Sequence, residues 1–191
     1  MKLIPTGSQT VGPFFHFGID RPEWSDLTSN GAEGQKIHIE GRVTDGDGAP
    51  IPDALLEIWQ ANAVGKYDHP DDKQDKPVDT KFRGFGRAAT NADGVYRFTT
   101  IKPGPVPGRG NSLQAPHINV TVFARGLLKH LTTRMYFADE AAANDADPVL
   151  NSIEDAEARK TLIAGKANGA AVTYRFDIVL QGKGETVFFE V

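Results

Sequence analysis

Histidine and tyrosine are the side chains in this sequence best suited to chemistry, because the chain has no cysteine. Without thiolates there is no disulfide framework, zinc finger or iron–sulfur cluster, and metal chemistry falls to imidazole, phenolate and carboxylate donors. The five histidines (His16, His38, His69, His117 and His130) are scattered, and no two are spaced to share one face of a helix. His117 follows Pro116 at the start of an apolar alternating run, and Tyr67 follows Gly65 in a loop. Taken singly, each has a plainer reading: a strand histidine is usually a hydrogen-bonded structural residue, and a loop tyrosine usually packs. A Gly-X-Ser-X-Gly elbow and a phosphate-cradling glycine loop are both missing, so serine hydrolysis and nucleotide binding have no support. Asp45-Gly46-Asp47-Gly48 looks like a fragment of a calcium loop but lacks the distal bidentate glutamate, and reads as a turn.

The elements that must position these residues are mostly strands. Twenty glycines and twelve prolines in 191 residues are more punctuation than a helical bundle carries. Ile37, Ile39, Gly41 and Val43 alternate with polar residues at the strand period of two. Further strands are expected at Leu55–Trp59, Gly84–Ala89, Val95–Ile101, His117–Ala124, Thr132–Phe137, Val172–Leu180 and Glu185–Val191. Residues 102–112, rich in Pro and Gly, cannot join a central ladder. One helix is expected near 152–162, capped by Asn151 or Ser152 with Asp155 as a capping-box acid. The acidic stretch Asp139–Glu157 reads as a solvated face, and Trp24 and Trp59 as packing anchors. The expected fold is all-β: a β-sandwich with long loops and one or two short helices.

Residues 1–35 carry Gln9-Thr10-Val11-Gly12-Pro13-Phe14-Phe15-His16-Phe17, too aromatic for a solvated tail. They are expected to form an N-terminal arm that packs on a partner subunit, with the sandwich domain spanning 36–191. A net charge of −4 without a basic stripe argues against nucleic acid. No apolar run approaches the roughly 20 residues that span a bilayer. Nor do residues 1–10 have the layout of a secretory signal, so a cytoplasmic location is expected.

Read together, the blocks carry a resemblance that none carries alone. Ile39-x-Gly41-x-Val43, Gly48, Ile51, Leu56-Glu57-Ile58, Gly65 and Tyr67 match, gap for gap, the pattern of the intradiol ring-cleaving dioxygenases. Gly94-Val95-Tyr96-Arg97-Phe98, Thr100-Ile101-Lys102-Pro103-Gly104-Pro105 and Ala115-Pro116-His117-Ile118-Asn119 resemble that family's following blocks. Ser8-Gln9-Thr10, Gly12-Pro13, Phe123-Ala124-Arg125-Gly126 and the Gly182–Phe189 segment narrow the likeness to the alpha-type chain of a two-chain member. The resemblance implies a sandwich fold and a ferric site of two tyrosinates and two histidines, a hard Lewis acid suited to anionic oxygen donors.

Mapped by this resemblance, Tyr67 and His117 stand at the first tyrosine and first histidine positions. Val106 stands at the second tyrosine position, Asn119 at the second histidine position, and Gln114 where the family has an arginine. Valine has no donor and asparagine offers only a neutral amide, so the chain is expected to hold no metal and no catalytic residue in its own pocket. Fe(III) is expected instead in a homologous beta subunit, in a higher-order hetero-oligomer that acts on 3,4-dihydroxybenzoate and dioxygen. Thr10, Gly12, Pro13, Phe14 and Arg125 are expected to line that partner's substrate site, although Phe14 replaces the family's tyrosine. The guanidinium of Arg125 suits a carboxylate. Two competing readings are a catalytically silent sandwich module that binds aromatic acids, and a self-sufficient enzyme recruiting Asn119, His130 or Tyr136 beside Tyr67 and His117.

Overall fold

The computed structural model describes residues 7–12 and 15–190. Alternation becomes architecture at β1 (Lys36–Thr44), where Ile37, Ile39 and Val43 are buried while Lys36 and Arg42 face solvent. It pairs antiparallel with β4 (Val95–Ile101), placing Ile39 opposite Phe98 and Gly41 opposite Tyr96. β10 (Thr173–Arg175) and β11 (Ile178–Val179) both run parallel to β1. A second layer is built from β3 (Phe85–Ala89), β2 (Leu55–Trp59), β7 (His117–Phe123) and β8 (Leu131–Phe137), paired antiparallel in that order. β9 (Ile163–Ala167) pairs with both β8 and β10 and joins the layers along one edge.

Ile37, Ile39, Phe98 and Tyr174 from one layer meet Leu56, Ile58, Ile118, Val120 and Met135 from the other in a single buried cluster. At this depth a fully buried aliphatic side chain contributes on the order of 2 kcal/mol. Leu27 also belongs to this core, so part of the region before residue 35 packs on the chain's own sandwich. Gly41 is required at a close approach: a Cβ there would lie 1.7 Å from the carbonyl oxygen of Phe176. That same oxygen accepts a 2.6 Å hydrogen bond from the Tyr96 hydroxyl.

The sandwich expected from sequence is the sandwich found, with local differences. The strand expected over 172–180 breaks at Phe176–Asp177, where the Asp177 carboxylate takes the Arg42 N–H in place of a ladder partner. Glu185–Val191 supplies only a single bridge, Phe189 to Thr132, rather than a strand. Among the described residues there are three short α-helices, α1 (Phe15–Ile19), α2 (Ala141–Ala146) and α3 (Ala156–Lys160), beside three single 3-10 turns. α3 is shorter than expected and its N-cap is Asp155, whose side chain accepts from the Glu157 N–H. The Ser152 hydroxyl turns back to the Val149 carbonyl and caps nothing. The segment 102–112 stays out of the main sheet, as expected, but β5 (Val106–Pro107) pairs with β6 (Leu113–Gln114) in a small separate ribbon.

Candidate functional site

Strand register places the candidate residues. Phe85, Trp59, Asn119 and Arg134 are cross-strand neighbours on β3, β2, β7 and β8, and His117 faces Tyr136 one pleat further along. Because side chains alternate at period two, His117, Asn119, Arg134 and Tyr136 project to one face, opposite the inward Ile118 and Met135. Two loops cover that face. One presents Tyr67, whose ring stacks on Trp59 at 5.7 Å and 15°. The other is the β5–β6 ribbon, which presents buried Val106 paired with Gln114. Between them lies a cavity of about 940 Å³ walled by Trp59, Tyr67, Phe85, Val106 and Pro107. Trp59, expected as a packing anchor, is therefore a wall of the site.

The covering loops are clamped rather than draped. Gly65, at φ +78°, brings the chain so close to the Pro105 carbonyl that a Cβ would lie 2.0 Å from it. The Lys66 ammonium, almost fully buried, reaches the Asp72 carboxylate at 3.2 Å and the Asp72 and Gln74 carbonyls at 2.8 Å. Burial opposes charge on Asp72. Hydrogen bonds from the Gln74 and Tyr67 backbone N–H groups, Lys66 and the Gln74 side chain outweigh that and hold its carboxyl at about 2.

His117 is 3% exposed, with Nδ1 2.7 Å from the Ala115 carbonyl oxygen. A carbonyl only accepts, so Nδ1 carries the proton and the Nε2 lone pair stays available. Burial first, and the nearby Arg134 charge second, push this imidazole down to about 4, so it is neutral at ordinary pH. Burial raises the Tyr67 phenol; Arg134 and a hydrogen bond with Asn119 partly offset this. Behind them, Arg134 donates from Nη1 to Gln114 Oε1 at 2.6 Å and contacts the Tyr136 hydroxyl. Tyr136 reaches Asp147 at 3.1 Å, and Asp147 also accepts from the backbone N–H groups of Ala115, Val149 and Leu150.

Asp147 corrects the reading of Asp139–Glu157 as a solvated face. It is 0% exposed, since a carboxylate that gathers three backbone donors is more stable inside than those donors are without it. Asp139 is likewise engaged, by Tyr174 at 2.8 Å and Lys102 at 3.1 Å. Nothing in the local sequence pattern marks Arg134 or Asp147 as special. Aligning β7 with β8 around the 124–130 turn places Arg134 opposite Asn119, and that register was the available signal for it.

The donor set does not fit ferric iron. Tyr67 offers a phenol oxygen and His117 an imidazole nitrogen, but Val106 presents only carbon and Asn119 a neutral amide already engaged with Tyr67. Two donors fall short of the three or four a transition-metal site uses, and the Arg134 guanidinium adds positive charge where a cation would sit. Among the described residues, no cluster of three His, Asp or Glu side chains is placed to hold a metal either.

The remaining candidates gather elsewhere. Arg125 and Thr10 lie past the far end of β7, roughly 20 Å along the strand from His117. Thr10 Oγ1 accepts from the Gly126 N–H at 2.9 Å and donates to the Ala124 carbonyl at 3.4 Å, pinning the segment at residues 7–12 to the Arg125 turn. Arg125 pairs through Nε with Asp53, and its side chain is 70% exposed. Gly12 is exposed at the end of that segment. Pro13 and Phe14 lie outside the described residues.

Comparison with known proteins follows the same lines. The family model described as Dioxygenase matches residues 12–182. A protocatechuate 3,4-dioxygenase alpha chain from Pseudomonas putida is 44% identical over 204 residues, covering 100% of this chain and 98% of the relative. A protocatechuate 3,4-dioxygenase beta chain from Burkholderia cepacia is 38% identical over 94% of this chain and 77% of its own length. Among solved structures, the dioxygenase domain of a carbohydrate-binding fusion protein from a Streptomyces species superposes with a TM-score of 0.60 at 28% identity. That match covers 94% of this chain and 99% of the other. The chain therefore belongs to the intradiol ring-cleaving dioxygenase family.

Proposed function

We propose that this chain is the alpha subunit of a protocatechuate 3,4-dioxygenase, supporting cleavage of 3,4-dihydroxybenzoate by dioxygen to 3-carboxy-cis,cis-muconate at the ferric site of a homologous beta subunit. One observation carries the reading: full-length similarity to an alpha chain is kept while Val106 and Asn119, which the resemblance maps to two of the family's four metal positions, offer a hydrocarbon and a neutral amide in place of iron donors. Iron held by the beta subunit supplies the ring activation. This chain supplies surface. The segment at residues 7–12 and the Arg125 turn, joined through Thr10, form a single patch for the partner's site that includes Gly12; the resemblance assigns Pro13 and Phe14 to the same role. Asp53 orients Arg125 through Nε and leaves the terminal guanidinium nitrogens to face a carboxylate. Protocatechuate carries that carboxylate and catechol does not, which makes Arg125 a selectivity element.

The test is reconstitution. Alone, the chain should consume no oxygen with protocatechuate; co-expressed with a beta chain, it should co-purify and cleave. In that complex, Arg125→Ala should raise the Michaelis constant for protocatechuate at least severalfold, and an unchanged constant would remove Arg125 from the site. Full activity of a beta chain without this one would overturn the reading.

A further inference from the structure

An asparagine can lose its amide without any enzyme when the next backbone nitrogen reaches the side chain, and glycine is the follower that obstructs that approach least. The sequence has two such pairs, Asn30-Gly31 and Asn168-Gly169. Both asparagines are exposed, and their surroundings differ.

Gly31 closes a turn. Its N–H donates to the Thr28 carbonyl at 2.9 Å, and its φ of +86° lies in the left-handed region. The turn is anchored by Leu27 in the core and by the Asp26 carboxylate, which accepts from the Thr28 N–H at 2.8 Å. The nitrogen that would attack the Asn30 amide is therefore already engaged. Asn168-Gly169 lies in the loop 168–172 between β9 and β10, in a stretch exposed from Gly165 to Ala171. Among the described residues, neither the Asn168 side chain nor the Gly169 N–H has a hydrogen-bond partner. Gly169 is not at a positive φ, and a Cβ placed on it would meet only the Ala171 carbonyl oxygen, at 3.8 Å. Both reacting groups can turn toward each other.

We propose that Asn168 is a site of spontaneous deamidation through a cyclic imide. The Gly169 nitrogen gives up its proton to water and bonds to the side-chain carbonyl carbon of Asn168. The carbon–nitrogen bond of the side-chain amide breaks, and ammonia leaves carrying a proton regained from water. A second water then opens the imide at either of its carbonyls, leaving aspartate or the isomer whose main chain runs through the former side chain. Amide and water become carboxylate and ammonia, with no change of oxidation state. Either product sets a new negative charge close to Lys166, whose ammonium lies 3.7 Å from Asp139. The inference is independent of the subunit assignment.

The experiment ages the purified full chain at mildly alkaline pH, folded and in urea, and follows both asparagines by peptide mass spectrometry. In urea the two pairs should convert at similar rates. In the folded chain Asn168 should outrun Asn30 about five- to tenfold, the factor imposed by the single backbone hydrogen bond of Gly31. A more acidic species should grow on ion exchange in step with loss of the Asn168 amide. Gly169→Ala, which the backbone accepts without strain, should slow that growth, and Asn168→Gln should remove it. Equal rates for the two pairs in the folded chain, or an acidic species that grows as fast in Asn168→Gln, overturns the proposal.

Discussion

Replacing Asp147 with alanine strips an acceptor from four donors at once: the N–H groups of Ala115 (2.7 Å), Val149 (2.9 Å) and Leu150 (2.7 Å), and the Tyr136 hydroxyl (3.1 Å). Each donor left buried without a partner costs about 1–3 kcal/mol. Water entering the vacated space recovers part of that. A net loss of roughly 4–6 kcal/mol is expected, a large share of the 5–15 kcal/mol that holds a typical domain together. Asp147→Asn keeps the volume and one acceptor oxygen but turns an NH₂ toward donors, so roughly half that loss is expected. Urea unfolding followed by tryptophan fluorescence measures both, with the midpoint shift read at constant slope. The consequence extends to the site, because Ala115 is the residue whose carbonyl fixes His117. An alanine variant within about 1 kcal/mol of the parent would refute the network, as would an asparagine variant less stable than the alanine one.

Three further outcomes follow from the same geometry. Gly41→Ala should cost upwards of about 3 kcal/mol, since its Cβ would collide with the Phe176 carbonyl and the Tyr96 hydroxyl; thermal unfolding reads this directly. Asp72→Ala should free the loop that carries Tyr67, at a cost of roughly 2–3 kcal/mol, with hydrogen exchange at the Tyr67 and Gln74 amides accelerating most. His117 gives an acid-side signature. Its folded value of about 4 lies below the ordinary 6.5, so its contribution is fully present above 6.5 and is lost as pH falls toward 4. That contribution is at most roughly 3 kcal/mol, and a His117→Gln variant should show a flatter stability profile between pH 6.5 and 4.

Much of the fold was legible because it rests on local alternation. β1, β2 and β4 fell where Ile37-x-Ile39, Leu55–Trp59 and Val95–Ile101 place them. What escaped was set by distant partners. β9, with Gly165 in a weak strand pattern, exists because Tyr136 and Tyr174 offer it edges on both sides. The break at Asp177 depends on the Arg42 N–H, 135 positions away in sequence. The metal positions were read through resemblance, and the structure brings Tyr67, Val106, His117 and Asn119 to one face. Asp147 looked like one more acid in an acidic stretch. Only the fold reveals the three amides that converge on it.

The most direct test of the central claim is the iron content of this chain purified alone, with its visible spectrum recorded alongside. A colourless protein with negligible iron is the expected result, with iron and colour appearing only when the beta chain is present. Stoichiometric iron with a tyrosinate-to-iron absorption band would contradict it, since Tyr67 and His117 would then anchor a working centre despite Val106, Asn119 and Arg134.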